Sequence, residues 1–204
     1  MKKAVFRISA GVCILLLFSA AYSLQNSYRD QREKPEILLD TAGVKPGMRI
    51  GEAGAGRGYL TFFLSSRVGE KGMVYANDID RPSLQVLERR IEREGVHNIK
   101  VIPGEVADPK FPVNDLDMVV MLHAFHDFTK KEAWLRNVKK YMKHDAPVVI
   151  FDRQNYHTDM NKELVMELGH QAGFELVRAA SLHNGIWVYI LKITTDTELY
   201  IERE

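Results

Sequence analysis

The sequence predicts an α/β fold in which a mostly parallel sheet carries helices on both faces. Three observations lead there. From residue 35 onward, short apolar runs of β type alternate with amphipathic helical stretches. A glycine-rich turn, Gly54-Ala55-Gly56-Arg57-Gly58, joins the first strand to its helix, and acids close the first two strands, Glu52 and Asp78. The last two strands are separated by Asn184-Gly185, a strong hairpin signal, so the sheet ends in an antiparallel pair.

Length and composition narrow the class. A chain of 204 residues is one domain of ordinary size, and 46% hydrophobic residues supply a sizeable core. Its 28 Lys and Arg against 27 Asp and Glu leave a net charge of +1, without the basic excess of a nucleic-acid binder. Cys13 is the single cysteine, which excludes an internal disulfide framework and a thiolate metal cluster. The seven histidines show no H-E-x-x-H spacing, so no metal site is indicated.

Lys2, Lys3 and Arg7 precede an apolar run from Ile8 to about Leu24, and Ala21-Tyr22-Ser23 is a passable cleavage site. Residues 1–24 therefore read as a signal peptide or, uncleaved, as a membrane anchor. The expectation is an exported, periplasmic protein or one attached to a membrane through residues 8–24, with a cytoplasmic location as the alternative. Residues 25–34 follow as a polar linker, and 35–204 form the folded domain.

Pro35 to Ala42 reads as a short helix stopped at Gly43, and Lys45-Pro46-Gly47-Met48 as a type II turn into the first strand. Tyr59 to Val68 is the helix after the glycines, and Met73 to Asn77 the second strand. Asp80 caps the next helix, with Pro82 in its first turn, an inward stripe of Leu84, Leu87 and Ile91, and Gly95 at its end. Ile99 to Ile102 is the third strand. Leu116 to Leu122 is the fourth, a nearly continuous apolar run suited to burial on both faces. It exits into His123-Ala124-Phe125-His126-Asp127-Phe128, at the end of the sheet where open α/β folds place ligands. Thr129 and Glu132 have capping-box spacing for a helix carrying Trp134, Leu135, Val138 and Met142. Pro147 to Phe151 is the fifth strand and Glu163 to Ala172 the last helix. Phe174 to Ala179 and Ile186 to Ile193 form the closing hairpin.

The glycine spacing selects among ligands. A dinucleotide fingerprint needs glycine where Tyr59 stands, and no P-loop string follows the strand. What remains is acid-x-G-x-G-x-G from Glu52 to Gly58, with Asp78 twenty residues further on, placed to accept from both hydroxyls of a ribose. This pattern resembles motif I of the class I S-adenosylmethionine-dependent methyltransferases. The likeness covers roughly residues 33–193 and is also carried by Lys34-Pro35-Glu36, by Val74-Tyr75-Ala76-Asn77-Asp78-Ile79-Asp80, by Asp108-Pro109 and by His126-Asp127-Phe128. More narrowly, the chain resembles a bacterial group of small methyltransferase-domain proteins, several of which carry export signals.

The resemblance implies a Rossmann-like seven-stranded sheet and S-adenosyl-L-methionine as cofactor. It implies cofactor contacts from Glu52, Gly54, Ala55, Gly56, Gly58, Asp78, Ile79, Glu105, Val106 and Asp108, with either Glu105 or Asp108 meeting the adenine. The sequence departs from the pattern at Gly51, where a larger apolar residue is usual, and at Arg57, where a small residue is usual and a bulky one would narrow the pocket. The expected activity is methyl transfer to an unidentified acceptor, a small molecule rather than nucleic acid. If the acceptor is a hydroxyl, His126 and Asp127 are the first candidates for the base. The alternative is a noncatalytic S-adenosyl-binding or structural module at the cell envelope, because the cofactor is made in the cytoplasm.

Overall fold

The computed structural model describes residues 28–154 and 160–194. Helix α1, described over residues 28–33, and α2 (Pro35–Ala42) lead into β1 (Arg49–Ala53), α3 (Tyr59–Val68) and β2 (Met73–Asp78). Then come α4 (Arg81–Glu94), β3 (Ile99–Pro103), β4 (Met118–Leu122), α5 (Lys131–Val138) and β5 (Val148–Arg153). Helix α6 (Lys162–Ala172), β6 (Phe174–Ser181) and β7 (Ile186–Ile193) complete the described chain. The seven strands form one sheet in the order β3-β2-β1-β4-β5-β7-β6. Only the pairings of β7 are antiparallel. Chain direction across the sheet switches between β1 and β4, which opens a crevice beyond their carboxyl ends.

Burial on both faces explains the apolar strands. Every residue of β4 is buried, as are the first five of β5. One core lies under α2, α3 and α4 and is built on Leu38, Leu64 and Leu87. The other lies under α5 and α6 and is built on Trp134, Leu135 and Val165. Gly51 has a packing reason. A Cβ there would sit 2.8 Å from Phe111 Cζ and 3.0 Å from Leu116 Cδ1, so the Phe111 ring fills the space a larger strand residue would take. Gly51→Val is expected to destabilise the fold by about 1–3 kcal/mol, the usual penalty for overpacking, as a lowered urea midpoint. Adding Phe111→Leu should return part of that loss.

The structure moves several boundaries. β4 starts at Met118, while Leu116 makes a single bridge to Met142. The Thr129–Glu132 capping box does not form. α5 begins later, with Lys130 in the cap position and no side-chain cap bond. Lys131 Nζ instead ties back the His126 and Phe128 carbonyls at 2.8 and 2.6 Å, and Glu132 pairs with Arg136. Asp80 occupies the cap position of α4 without a side-chain cap bond, and its N–H donates to Asp78 Oδ1 at 2.9 Å. In the hairpin, Asn184 and Gly185 both take left-handed φ, 53° and 70°, within the three-residue turn His183–Gly185 closed by the Leu182 N–H on the Ile186 carbonyl.

The stretch expected as a linker is helical over residues 28–33, and Glu33 in it is fully buried. Burial follows from the three cationic or imidazole groups its carboxylate meets, described below. The apolar segment 1–24 lies outside the described residues, as does the tail from 195 onward. Among the described residues no helix is long and apolar enough to cross a membrane.

Candidate active site

Three glycines after β1 do three different jobs. Gly54 takes φ +74°, and a Cβ there would lie 2.3 Å from Ala124 Cβ, so its absence lets the loop after β1 pass the loop after β4. Gly56 donates its N–H to Asp78 Oδ2 at 2.7 Å, tying the loop to the end of β2. Gly58 makes room for α4, because its Cβ would fall 2.4 Å from Leu87 Cδ1. A cleft of about 290 Å³ opens beside this loop. Gly54, Asp78, Ile79, Glu105 and Val106 line one side of it, and His123, Asp127, Phe128, Thr129 and Trp134 the other. Ile79 and Val106 are 58% and 45% exposed, large apolar side chains set beside two carboxylates. A slot with apolar walls and acceptor edges suits a flat ring carrying N–H and O–H donors.

Not every residue expected at the cofactor faces this cleft. Ala55, Gly56 and Gly58 are part of the loop but not of the cleft lining, and Glu52 lies beneath it. The Glu52 carboxyl is 3% exposed and accepts from Thr61 Oγ1 at 2.6 Å, bracing β1 against the first turn of α3. Burial pushes it up to about 7, opposed by the Thr61 hydroxyl and reinforced by the Asp78 charge. A carboxyl raised in the folded state supports the fold below its unfolded value of 4.5 and loses that contribution as pH rises through about 7. Glu52→Gln cannot ionise. It should match the parent in urea unfolding near pH 4.5 and exceed it by about 3 kcal/mol at roughly pH 8. A variant less stable at the higher pH would contradict the buried-carboxyl account.

Geometry separates the two adenine candidates. Asp108 is buried and accepts from Lys140 Nζ at 2.7 Å, Tyr141 Oη at 2.7 Å and the Lys110 N–H at 2.9 Å. Burial alone would raise its carboxyl, but these donors hold it at about 2. It does not line the cleft, whereas the exposed Glu105 does. Arg57 does not narrow the cleft either. It is exposed and lines a separate groove with Val86, Arg89, Arg90 and Arg93 of α4.

Beyond β4 and β5 the structure assembles a network of acids and imidazoles. Asp152, 1% exposed at the end of β5, accepts from His126 Nδ1 at 2.8 and 3.0 Å through its two oxygens. It also accepts from the backbone N–H of His126 and of Arg153, at 3.1 and 2.9 Å. His126 Nε2 lies 3.4 Å from the exposed Asp127 carboxylate. His123 Nε2 meets Glu33 Oε2 at 2.8 Å, and its Nδ1 lies 3.9 Å from Asp152. Burial would lower the His123 imidazole, but the Asp152 and Glu33 carboxylates outweigh it and raise it. Burial would raise Asp152, and the two histidines hold it below the usual carboxylate range. His123 sits at φ +52°, a left-handed conformation that a non-glycine residue keeps only where its surroundings hold it.

The sequence points to His123, His126 and Asp127 at the ligand end of the sheet, with His126 and Asp127 as base candidates, but not to Asp152 or Glu33 as functional residues. For Asp152 a signal was present, since it is a third acid closing a buried parallel strand, as Glu52 and Asp78 do. Asp127 lines the cleft, whereas His126 lines an adjoining recess of about 770 Å³ with Leu164 and Leu168. Cleft and recess share Asp127, Phe128 and Thr129.

A methyltransferase-domain family matches residues 50–145, a span that holds the glycine loop, Asp78, Glu105 and the His123–Phe128 turn. A crystal structure of an S-adenosylmethionine-dependent methyltransferase from Aquifex aeolicus superposes with a TM-score of 0.76 at 25% identity, covering 86% of this chain and 98% of that one. The family match and the superposition support a class I S-adenosylmethionine-dependent methyltransferase. S-adenosyl-L-methionine is accordingly the cofactor this methyltransferase fold implies, and the cleft fits it: apolar walls for a purine, and carboxylates at the acceptor positions.

Among curated relatives, a ubiquinone/menaquinone biosynthesis C-methyltransferase from Shewanella sediminis is 25% identical over 150 residues, 72% of this chain and 60% of that protein. One of the same description from Shewanella baltica is 26% identical over 138 residues, 66% of this chain and 55% of the relative. The chain thus spans less than two thirds of the length of these relatives. The YcgJ protein of Bacillus subtilis, at 13% identity and a TM-score of 0.64 over 80% of this chain and 99% of its own, shows a shared fold alone.

Proposed function

We propose that this methyltransferase-family chain moves a methyl group from S-adenosyl-L-methionine to a small molecule whose hydroxyl proton is taken by His126. The observation that carries the proposal is the His126–Asp152 pair in the recess beside the cofactor cleft. Donation from Nδ1 to a buried carboxylate selects the tautomer whose Nε2 carries the lone pair that accepts a proton, with the Asp127 carboxylate 3.4 Å away to steady the imidazolium that forms. The bound cofactor would supply a methyl carbon already activated by a cationic sulfur, so the chain's work is alignment and proton removal. On this reading Asp78 would accept from the ribose hydroxyls and Glu105 from the adenine amino group, with Ile79 and Val106 packing on the ring, which their places in the cleft wall support.

The recess, with Phe128, Leu164 and Leu168 in its wall beside Thr129, Lys130 and Glu132, suits an acceptor with an aromatic ring and a polar edge. A ring hydroxyl fits this base. Losing its proton spreads charge onto oxygen and ring carbon alike, so attack from either atom is open, in keeping with the C-methyltransferase description of the Shewanella relatives. Export or membrane attachment through residues 8–24 is part of the proposal, and amino-terminal sequencing of the protein from fractionated cells tests it.

Calorimetric titration of the full chain with S-adenosyl-L-methionine, S-adenosylhomocysteine and NAD should show binding of the first two only. Label from methyl-labelled cofactor should then enter a small-molecule fraction of cell extracts. Binding without transfer to any extract would favour a noncatalytic module. Failure to bind either S-adenosyl compound would overturn the proposal.

A further inference from the structure

We propose that Glu33, in the helix ahead of the domain, is a positioning residue that fixes His126 through His123 and Asp152. This inference rests on reading His126 as the acceptor base. Glu33 is fully buried, yet it comes from a stretch whose composition is that of a surface linker. Its Oε2 meets His123 Nε2 at 2.8 Å, and its Oε1 pairs with Arg32 at 2.9 Å and Arg153 at 3.3 Å. Its backbone carbonyl accepts from His183 Nε2 at 2.9 Å, and Asn184 Nδ2 donates to the Arg32 carbonyl at 2.6 Å. The end of α1 is thereby pinned to the carboxyl ends of β4 and β5 and to the β6–β7 loop.

The consequence for the base follows from competition for one carboxylate. His123 stands between two buried acids, bonded to Glu33 and 3.9 Å from Asp152. While Glu33 holds the His123 ring by Nε2, both Asp152 oxygens remain available to His126 Nδ1. Without Glu33, Asp152 is the remaining carboxylate beside His123, and a half-buried imidazole that has lost its partner gains by pairing with it. The ring then turns towards Asp152 and draws it away from His126. The other charged groups at this site act locally. Lys131 Nζ holds the His126 and Phe128 carbonyls, and Asp127 lies at the far nitrogen of His126. Arg32 and Arg153 neutralise Glu33 itself.

The test follows the Nδ1 proton of His126 by NMR of the full chain labelled with ¹⁵N-histidine, which needs no acceptor. In the parent, that proton should exchange slowly with water. In Glu33→Ala it should exchange about tenfold faster, the scale of one lost hydrogen bond. Glu33→Gln, which keeps the reach without the charge, should fall between, and it decides the matter if the alanine variant does not fold. Asp152→Asn is the reference for complete loss of the contact. Faster exchange of the amides of residues 28–33 with an unchanged His126 proton would make Glu33 a staple for the helix and overturn its positioning role. An unchanged proton in Asp152→Asn would instead overturn the assignment of His126 on which the proposal stands.

Discussion

Asp78→Ala is expected to weaken S-adenosyl-L-methionine binding by about 100-fold or more, measured by calorimetry on the full chain. Hydrogen bonds to a charged carboxylate contribute about 1.5–3 kcal/mol each, and on the proposed reading two ribose hydroxyls would reach this one group. The same carboxylate also holds the glycine loop through Gly56 N–H at 2.7 Å and the start of α4 through Asp80 N–H at 2.9 Å. Removing it therefore loosens the loop that shapes the cleft as well as deleting the contact. Asp78→Asn retains an oxygen for one partner and should fall between the parent and the alanine variant. Full-strength binding by Asp78→Ala would show that the cofactor lies elsewhere.

Asp152→Asn is expected to lower methyl transfer by about 10²–10⁴-fold, the range for removing an effective general base. An amide facing Nδ1 can donate, and a donor there puts the ring proton on Nε2, the atom that must accept. His126→Gln removes the base itself. Because the two side chains act as a unit, the double variant should be scarcely slower than either single one. Neither residue lines the cofactor cleft, so affinity for the cofactor should stay within about threefold of the parent. Loss of cofactor affinity that tracks the loss of turnover would mean that Asp152 supports the cleft rather than the base.

The amino-acid sequence by itself determined the α/β class, the order of the strands, the closing hairpin and the acid–glycine signature of the loop after β1. The helix expected between β3 and β4 does not form, and α1 was not foreseen. The features it determined are local. An apolar run, a turn that needs left-handed backbone at Asn184 and Gly185, and alternating glycines before a helix each declare themselves within a few residues. The ligand-facing side of each residue was less legible. Glu52 and Asp78 both stand at or near the end of a parallel strand, yet one is buried against Thr61 and the other lines the cleft. Glu105 and Asp108 lie three residues apart in one turn, yet only the first reaches the cleft.

Tertiary structure alone decided which acids meet which histidines. Glu33 lies ninety positions before His123, and Asp152 twenty-six beyond His126, so no periodicity links either pair. They meet because β4 and β5 run parallel and end together, and α1 closes over that edge. There burial makes an unpaired carboxylate costly, and each acid is held where a cationic or imidazole partner can reach it.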